Sequence, residues 1–249
     1  MAHSDYAVET EELTRQFGKF IAVNKVSLQV NRGEIFGFLG ANGAGKTTLI
    51  RMLSGILKPS AGSASVAGYN IYTQAEQIKQ NIGYMSQKFS LYEDLTIGEN
   101  INFFGGIYGL FPQTLEKRKR SLLKQVGLTD YENRLTQELP LGFKQRLALG
   151  CALLHDPPII FLDEPTSGVD PKARREFWDL IYDTSDMGKT IFVTTHFMDE
   201  AEYCHRVSIL RDGEVIALDK PYELKRKYHK SNMQDVFIHI VKEKQKENN

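Results

Sequence analysis

Residues 40–47 read Gly-Ala-Asn-Gly-Ala-Gly-Lys-Thr, a full match to the spacing Gly-x-x-x-x-Gly-Lys-Ser/Thr. The residue types state the chemistry. Gly40, Gly43 and Gly45, with the small Ala44 and with Asn42, let backbone N–H groups curl around a polyphosphate that larger side chains would block. Lys46 supplies a point charge for the β- and γ-phosphates, Thr47 offers a hydroxyl to magnesium, and Thr48 continues into a helix whose N-terminus adds a positive dipole end. A second group lies at residues 159–164, Ile-Ile-Phe-Leu-Asp-Glu. Four apolar residues predict a buried strand, and Asp163 and Glu164 follow at its C-terminal end, where ligands of open α/β sheets bind. Asp163 can hold magnesium directly or through water. Glu164 is placed to polarise a water for in-line attack on a γ-phosphate.

These groups need particular elements to hold them. The phosphate motif requires a strand before it and a helix after it. Glu34–Leu39 is a short apolar run that stops at Gly40, and a helical pattern runs from Gly45–Lys46 to about Leu57, closed by Lys58-Pro59. Val26, Leu28 and Val30 alternate within residues 23–30, as in a half-buried strand. Residues 64–86 carry two further short strand patterns around a helical stretch. From about Thr96 to Cys151 the period is helical with little strand signal. Strand and helix patterns then alternate: 159–162, 171–184, 190–194 and 198–204. A last strand pair, 206–210 and 214–217, turns at Asp212-Gly213. This alternation predicts a largely parallel sheet covered by helices. The charged tail after Lys242 reads as frayed.

With 249 residues, one α/β domain with a small inserted subdomain is expected, and the core needs no staples. Lys+Arg and Asp+Glu both count 31, so the formal net charge is zero. That balance argues against a broad nucleic-acid footprint, and no nucleic-acid partner is expected. Cys151 and Cys204 stand in no metal-ligand or redox spacing and read as buried thiols in a reducing compartment. Met1–Glu12 lacks a charged-then-apolar signal layout, and no apolar run approaches the ~20 residues of a membrane helix.

Together with four further positions, these motifs closely resemble the nucleotide-binding subunit of ABC transporters, over about Val8 to Ile240. Gln87, in Tyr-Met-Ser-Gln, matches the family's Q-loop residue, which contacts magnesium or the attacking water. Ser167-Gly-Val-Asp170 follows Glu164 at the D-loop position. His196, in Val-Thr-Thr-His, matches the switch histidine on the γ-phosphate. Phe17 falls where the family places an aromatic on adenine, with Phe20 as a nearby competitor. The resemblance implies an α/β P-loop NTPase core with a mainly parallel sheet, an antiparallel N-terminal β portion and an inserted helical subdomain. Residues 1–87 and 152–249 would form the core lobe, and 88–151 the helical lobe. Two such subunits would sandwich two ATP molecules, each site joining one phosphate loop to the other subunit's signature motif. Glu164, His196, Gln87 and Lys46 are then the expected catalytic residues, with ATP and magnesium as ligands.

The signature departs from the family. Where Leu-Ser-Gly-Gly-Gln is usual, this chain has Leu139-Pro140-Leu141-Gly142-Phe143, aligned by the flanking Glu138-Leu139 and Gln145-Arg146-Leu147. Pro140 offers the partner's γ-phosphate neither hydroxyl nor N–H. Losing one hydrogen bond to a charged group amounts to about 1.5–3 kcal/mol, or roughly 10- to 150-fold. Proline suits the first turn of a helix, and a helix pattern follows, so Gly142 and a helix dipole remain. The Leu-Pro-Leu-Gly variant is similar to that of two-domain or paired ATPases of drug and small-solute exporters.

The resemblance therefore implies an ATP-hydrolysing exporter subunit at the cytoplasmic face of the membrane. It would be held there by a transmembrane permease and paired with a second nucleotide-binding subunit. Two other readings stand beside it. One is a regulatory nucleotide-binding subunit with little hydrolysis, motivated by Pro140. The other is a soluble ABC ATPase acting on ribosomes or DNA, although such proteins usually carry two cassettes or long insertions. Phe89, Leu91 and Tyr92, in the segment after Gln87, are expected either to contact the permease or to pack within the helical lobe. Lys117-Arg-Lys-Arg120 reads as a solvated helix face or a contact for anionic lipid headgroups.

Overall fold

The strands nearest the phosphate motif are buried on both faces, and that burial sets the layering. In the computed structural model, which describes residues 6–87 and 91–247, β3 (Ile35–Leu39) and β7 (Ile159–Asp163) are buried at every position. They lie in a six-stranded sheet of order β10-β9-β3-β8-β7-β6. The remaining members are β6 (Ile82–Met85), β8 (Thr190–Thr195), β9 (Arg206–Arg211) and β10 (Glu214–Asp219). All neighbours pair in parallel except the β9–β10 hairpin. Continuous apolar runs are what a sheet covered on both faces demands. Alternate residues divide between two cores: Phe36, Phe38, Phe161 and Phe192 enter one, while Ile35, Leu39, Ile160 and Val193 enter the other.

The first core is closed by a four-stranded antiparallel sheet, β2-β1-β4-β5. Its strands are β1 (Tyr6–Phe17), β2 (Phe20–Asn31), β4 (Ala61–Val66) and β5 (Tyr69–Asn70). Val26, Leu28 and Val30 of β2 face inward, as their alternation predicts. Helix α1 (Lys46–Leu53) fills the same core with Leu49, Ile50, Met52 and Leu53. It ends four residues before Leu57, the end that the sequence pattern suggests. Ser54 Oγ donates to Ile50 O (2.7 Å), and Gly55 adopts φ 68°, so the chain leaves the helix there. Helix α2 (Ala75–Gln80) leads into β6.

Among the described residues no strand lies between β6 and β7. That segment holds α3 (Ile97–Ile107), α4 (Pro112–Gln125) and α5 (Leu141–Leu153), with short 3₁₀ turns at Thr129–Tyr131 and Thr136–Glu138. A capping box starts α3: Glu99 N donates to Thr96 Oγ1, and the Glu99 carboxylate accepts from Thr96 N. These helices gather their own apolar cluster around Ile97, Ile101, Leu122 and Leu147. The basic run on α4 is largely paired within the protein. Lys119 is buried between Glu116 and Glu132, Arg120 meets Glu116, and Arg118 donates to Leu154 O.

Helix α6 (Pro171–Asp186) covers the second core with Phe177, Trp178 and Ile181. The stretch 198–204 forms a 3₁₀ turn, Glu200–Tyr203, where the sequence pattern suggests a helix. The chain closes with α7 (Pro221–Lys227) and α8 (Met233–Glu247). Helix α8 continues beyond Lys242, where the sequence reads as a frayed tail. Met233, Val236 and Ile240 anchor it on the core, and Arg211 donates to Val241 O (2.7 Å).

Candidate functional site

The turn from β3 into α1 carries the phosphate motif in the expected setting. Gly45 is the N-cap of α1 at φ 102°, and a Cβ there would lie 2.5 Å from Ala22 O of β2. Only glycine fits both demands. On the other side Gly213, in the β9–β10 turn, donates its N–H to Ala44 O (3.2 Å). The loop is thus clamped between β2 and the last hairpin, two contacts that the motif itself does not reveal.

Lys46 is buried, and its Nζ donates to Gly40 O (2.8 Å) and Ala41 O (3.1 Å) within the loop. It also lies 3.4 Å from Glu164 Oε1. Burial pushes its pKa below the usual lysine value, against the pull of Glu164 and then Asp163. Thr47 donates its hydroxyl to Asp163 Oδ1 (2.9 Å), which spans the gap from α1 to the end of β7. Thr194 on β8 donates to the same oxygen (2.7 Å), and its hydroxyl also accepts from Glu164 N (2.8 Å). Burial raises the Asp163 pKa, while the bonds from Thr194 and Thr47 hold it down.

Glu164 has φ 50°, a left-handed conformation in a non-glycine residue. Such a backbone costs on the order of 1–3 kcal/mol and clusters at functional turns. Here it swings the carboxylate toward the phosphate loop, where three other polar groups converge on it. Beyond Lys46, Gln87 Nε2 donates to Glu164 Oε2 (3.0 Å), and His196 Nδ1 lies 3.2 Å from that same oxygen. The His196 contact is close enough for an ion pair, yet Nδ1 makes no hydrogen bond. The order β3-β8-β7 explains the convergence: β8 lies between the loop strand and the carboxylate strand, and its end delivers Thr194 and His196 between them.

The donor set suits magnesium. Thr47 Oγ1 and Asp163 Oδ1 are hard oxygens already within 2.9 Å of one another. Among the described residues no group of three or more His, Cys, Asp or Glu forms a protein metal cage. Magnesium usually takes one or two carboxylates and completes its shell with phosphates and water, so a sparse site of this kind fits it.

The remaining expected site residues stand apart from this cluster. Phe17 is 45% exposed at the tip of the β1–β2 hairpin, beside Phe20 at 63%. The Arg15 guanidinium lies 4.4 Å from the Phe17 ring centroid and covers one of its faces. Thr48 is half-buried in the first turn of α1. Gly142 and Asp170 border a separate groove of about 750 Å³ that also touches Pro140, Leu141 and Gly168. Pro140 is the N-cap of α5, immediately before the helix rather than in its first turn, and gives it no side-chain bond. Asp170 caps α6, its Oδ1 accepting from Lys172 N (3.1 Å) and Ala173 N (3.0 Å). A Cβ on Gly142 would lie 2.7 Å from Ala173 Cβ, so glycine sets the approach of α5 to α6. Of the apolar residues after Gln87, Leu91 is buried in the helical cluster and Tyr92 is exposed against Phe103, while Phe89 lies outside the described residues. Leu91 is therefore lobe packing.

A phosphate loop at the end of a parallel strand, with an acidic pair two strands away and polar groups from the strand between, defines a P-loop nucleotide-binding protein. Within that class the comparisons are specific. The family model described as ABC transporter matches residues 23–167. The chain is 46% identical over 245 residues to a probable multidrug ABC transporter ATP-binding protein, YbhF, of Escherichia coli K12; the match covers 96% of this chain and 42% of that protein. It is 37% identical over 218 residues to the linearmycin resistance ATP-binding protein LnrL of Bacillus subtilis, covering 87% and 70%. Among solved structures, a dimeric ATP-binding cassette in a post-hydrolysis state, bound to ADP and Pi, superposes with a TM-score of 0.77 at 28% identity, covering 86% of this chain and 98% of that one. The chain belongs to the ABC transporter family, among its ATP-binding subunits. It spans less than half the length of YbhF. No helix among the described residues is long and apolar enough to cross a membrane.

Proposed function

We propose that this chain binds ATP with magnesium and hydrolyses it as one half of a two-site dimer, driving export of a drug or small solute through a transmembrane permease. The observation that carries the reading is the convergence of Lys46, Gln87 and His196 on the Glu164 carboxylate, beside the Thr47–Asp163 pair. In this scheme the N–H groups of residues 40–48 and Lys46 cradle the phosphates. Thr47 and Asp163, with Gln87, would hold magnesium, which would neutralise charge developing on the β- and γ-oxygens. Glu164 takes up proton density from the attacking water, and Gln87 and His196 fix that water and the γ-phosphate in line. Phe17 stacks on adenine with the ring face that Arg15 leaves open.

Gly142 and Asp170 act on the nucleotide of the second subunit. Residues 88–151 move as a helical lobe against a core of 1–87 and 152–249, and closure couples the nucleotide to the permease. The chain then works at the cytoplasmic face of the membrane. Support for pairing comes from the dimeric cassette that the fold matches, and support for export from the multidrug and linearmycin-resistance relatives. A regulatory reading with little hydrolysis draws on Pro140, which offers no donor at the α5 N-cap.

Phosphate release decides between the two. The chain is expected to release phosphate from magnesium-ATP, and Glu164→Gln to lower the rate by about 10²–10⁴-fold, the usual contribution of a positioned base. Bound ATP without turnover would favour the regulatory reading. Turnover unchanged by Glu164→Gln would remove Glu164 from its role.

A further inference from the structure

One buried carboxylate takes no part in the scheme above. Glu200, in the 3₁₀ turn after His196, is fully buried. Its Oε1 accepts from the Thr166 hydroxyl, two residues beyond Glu164. Its Oε2 has no hydrogen-bond partner. Among the described residues its only cationic neighbour is Arg174 on α6, whose Nε stands 3.7 Å from Oε1, beyond hydrogen-bond range. That Nε has no hydrogen-bond partner either. The Arg174 guanidinium lies 4.2 Å from the centroid of the Phe197 ring, which in turn packs 4.2 Å from the His196 ring. A fully buried, incompletely satisfied carboxylate is expensive, and such groups persist where geometry matters more than stability.

The connections add to the β7–β8 pairing a second tie between the two turns that follow these strands. One carries Glu164 at its start and Asp170 at its end; Ser167 N donates to Glu164 O and Val169 N to Thr166 O within it. The other carries His196 and Phe197. We infer that Glu200 is a positioning residue for hydrolysis: through Thr166 it holds the Glu164–Asp170 turn, and through Arg174 and Phe197 it ties that turn and α6 to His196. The inference rests on the proposed roles of Glu164 and His196. Glu200 is fully buried and is hydrogen-bonded by Thr166 and not by the phosphate loop, Asp163 or Glu164, so its effect is expected on the chemical step and not on ATP affinity.

The test is steady-state phosphate release and ATP binding for Glu200→Ala, Thr166→Val, the double variant and Glu200→Gln, each normalised to folded protein. Misplacement of a catalytic group by about 1 Å can lower a rate by 10²-fold. Glu200→Ala and Thr166→Val are therefore expected to lower kcat by about tenfold or more, with ATP Kd within about twofold of the parent. The double variant should be no slower than the slower single, because both break one link. Glu200→Gln keeps the acceptor for Thr166 and should restore kcat to within about threefold. Should Glu200→Ala fail to fold, Thr166→Val and Glu200→Gln carry the test. Loss of stability with kcat per folded molecule unchanged, or effects that multiply in the double variant, would overturn the inference while leaving the function intact. A parent chain that binds ATP and never turns over would overturn the proposed function, and this inference with it.

Discussion

The two places where this chain would meet nucleotide are built in opposite ways. Around Lys46 and Glu164 the functional side chains are gripped by one another. Thr194 serves Asp163 and the Glu164 backbone at once, Thr47 reaches across to Asp163, and Gln87 holds the Glu164 carboxylate. At the start of α5, Pro140 offers no donor and the Asp170 carboxylate caps α6, while Arg146, Lys172 and Glu176 line the same groove without gripping either of them. The first region is pre-organised within one chain, at the expense of a strained Glu164 backbone. In the proposed scheme the second is a surface that would acquire a role when another copy or a paired cassette brings nucleotide to it.

Breaking the pre-organised side should have the largest effect. Thr194→Val keeps the shape of β8 and removes the hydroxyl shared by Asp163 and Glu164. Phosphate release should fall by roughly 10²-fold, the scale of a displaced catalytic group; a rate within twofold of the parent would show that Asp163 and Glu164 need no such tie. The other side should respond in the opposite direction. Pro140→Ser supplies a hydroxyl at the α5 N-cap, and phosphate release should rise by about tenfold, the low end of a hydrogen bond to a charged group. A rise confined to Tm would mean that the serine caps the helix and never meets nucleotide.

Gly142→Ala tests whether shape alone matters there. Its Cβ would crowd Ala173, and overpacking of this kind costs about 1–3 kcal/mol. Thermal unfolding should begin about 2–4 °C lower for each kcal/mol.

The smallest effect concerns the far end of α5, where the chain turns toward β7 and meets β6. His155 stacks on Tyr108, just after α3, with ring centroids 3.7 Å apart, and its Nε2 sits 3.0 Å from Ile82 O on β6. A carbonyl only accepts, so Nε2 carries the proton, and the buried Nδ1 is left without a partner. Burial lowers the His155 pKa from 6.5 to about 4, and it raises that of Tyr108 to about 12. The unfolded chain therefore takes up a proton that the folded chain refuses. The stability tied to neutral His155 is complete above pH 6.5 and is lost as pH falls toward 4. His155→Phe keeps the stack and should flatten stability against pH in that window; an unchanged slope would contradict the assignment.

The phosphate motif at residues 40–47 and the acidic pair Asp163-Glu164 are legible in the sequence, because motif chemistry is local. The strand before Gly40, the helix after Gly45 and the parallel alternation also follow from short-range patterns, and the structure has them. What sequence hides is the support. Thr194 lies within a strand pattern, Glu200 within a helical one, and Gly213 in a hairpin turn; each acquires its further meaning from chain segments 30 or more residues away. Strand β1 carries a mixed polar pattern with register shifts against β2, so alternation does not mark its ends. Helix α8 mixes charge with a narrow apolar stripe, and its anchoring by Arg211 is a long-range fact.

In the proposed scheme the pre-organised site of one chain is completed by the Pro140 turn of another. Sedimentation of the Glu164→Gln variant with magnesium-ATP, then with ADP, shows whether this happens. A dimer with ATP and a monomer with ADP are expected. A monomer under both conditions, with ATP binding confirmed, would contradict pairing of this chain with itself.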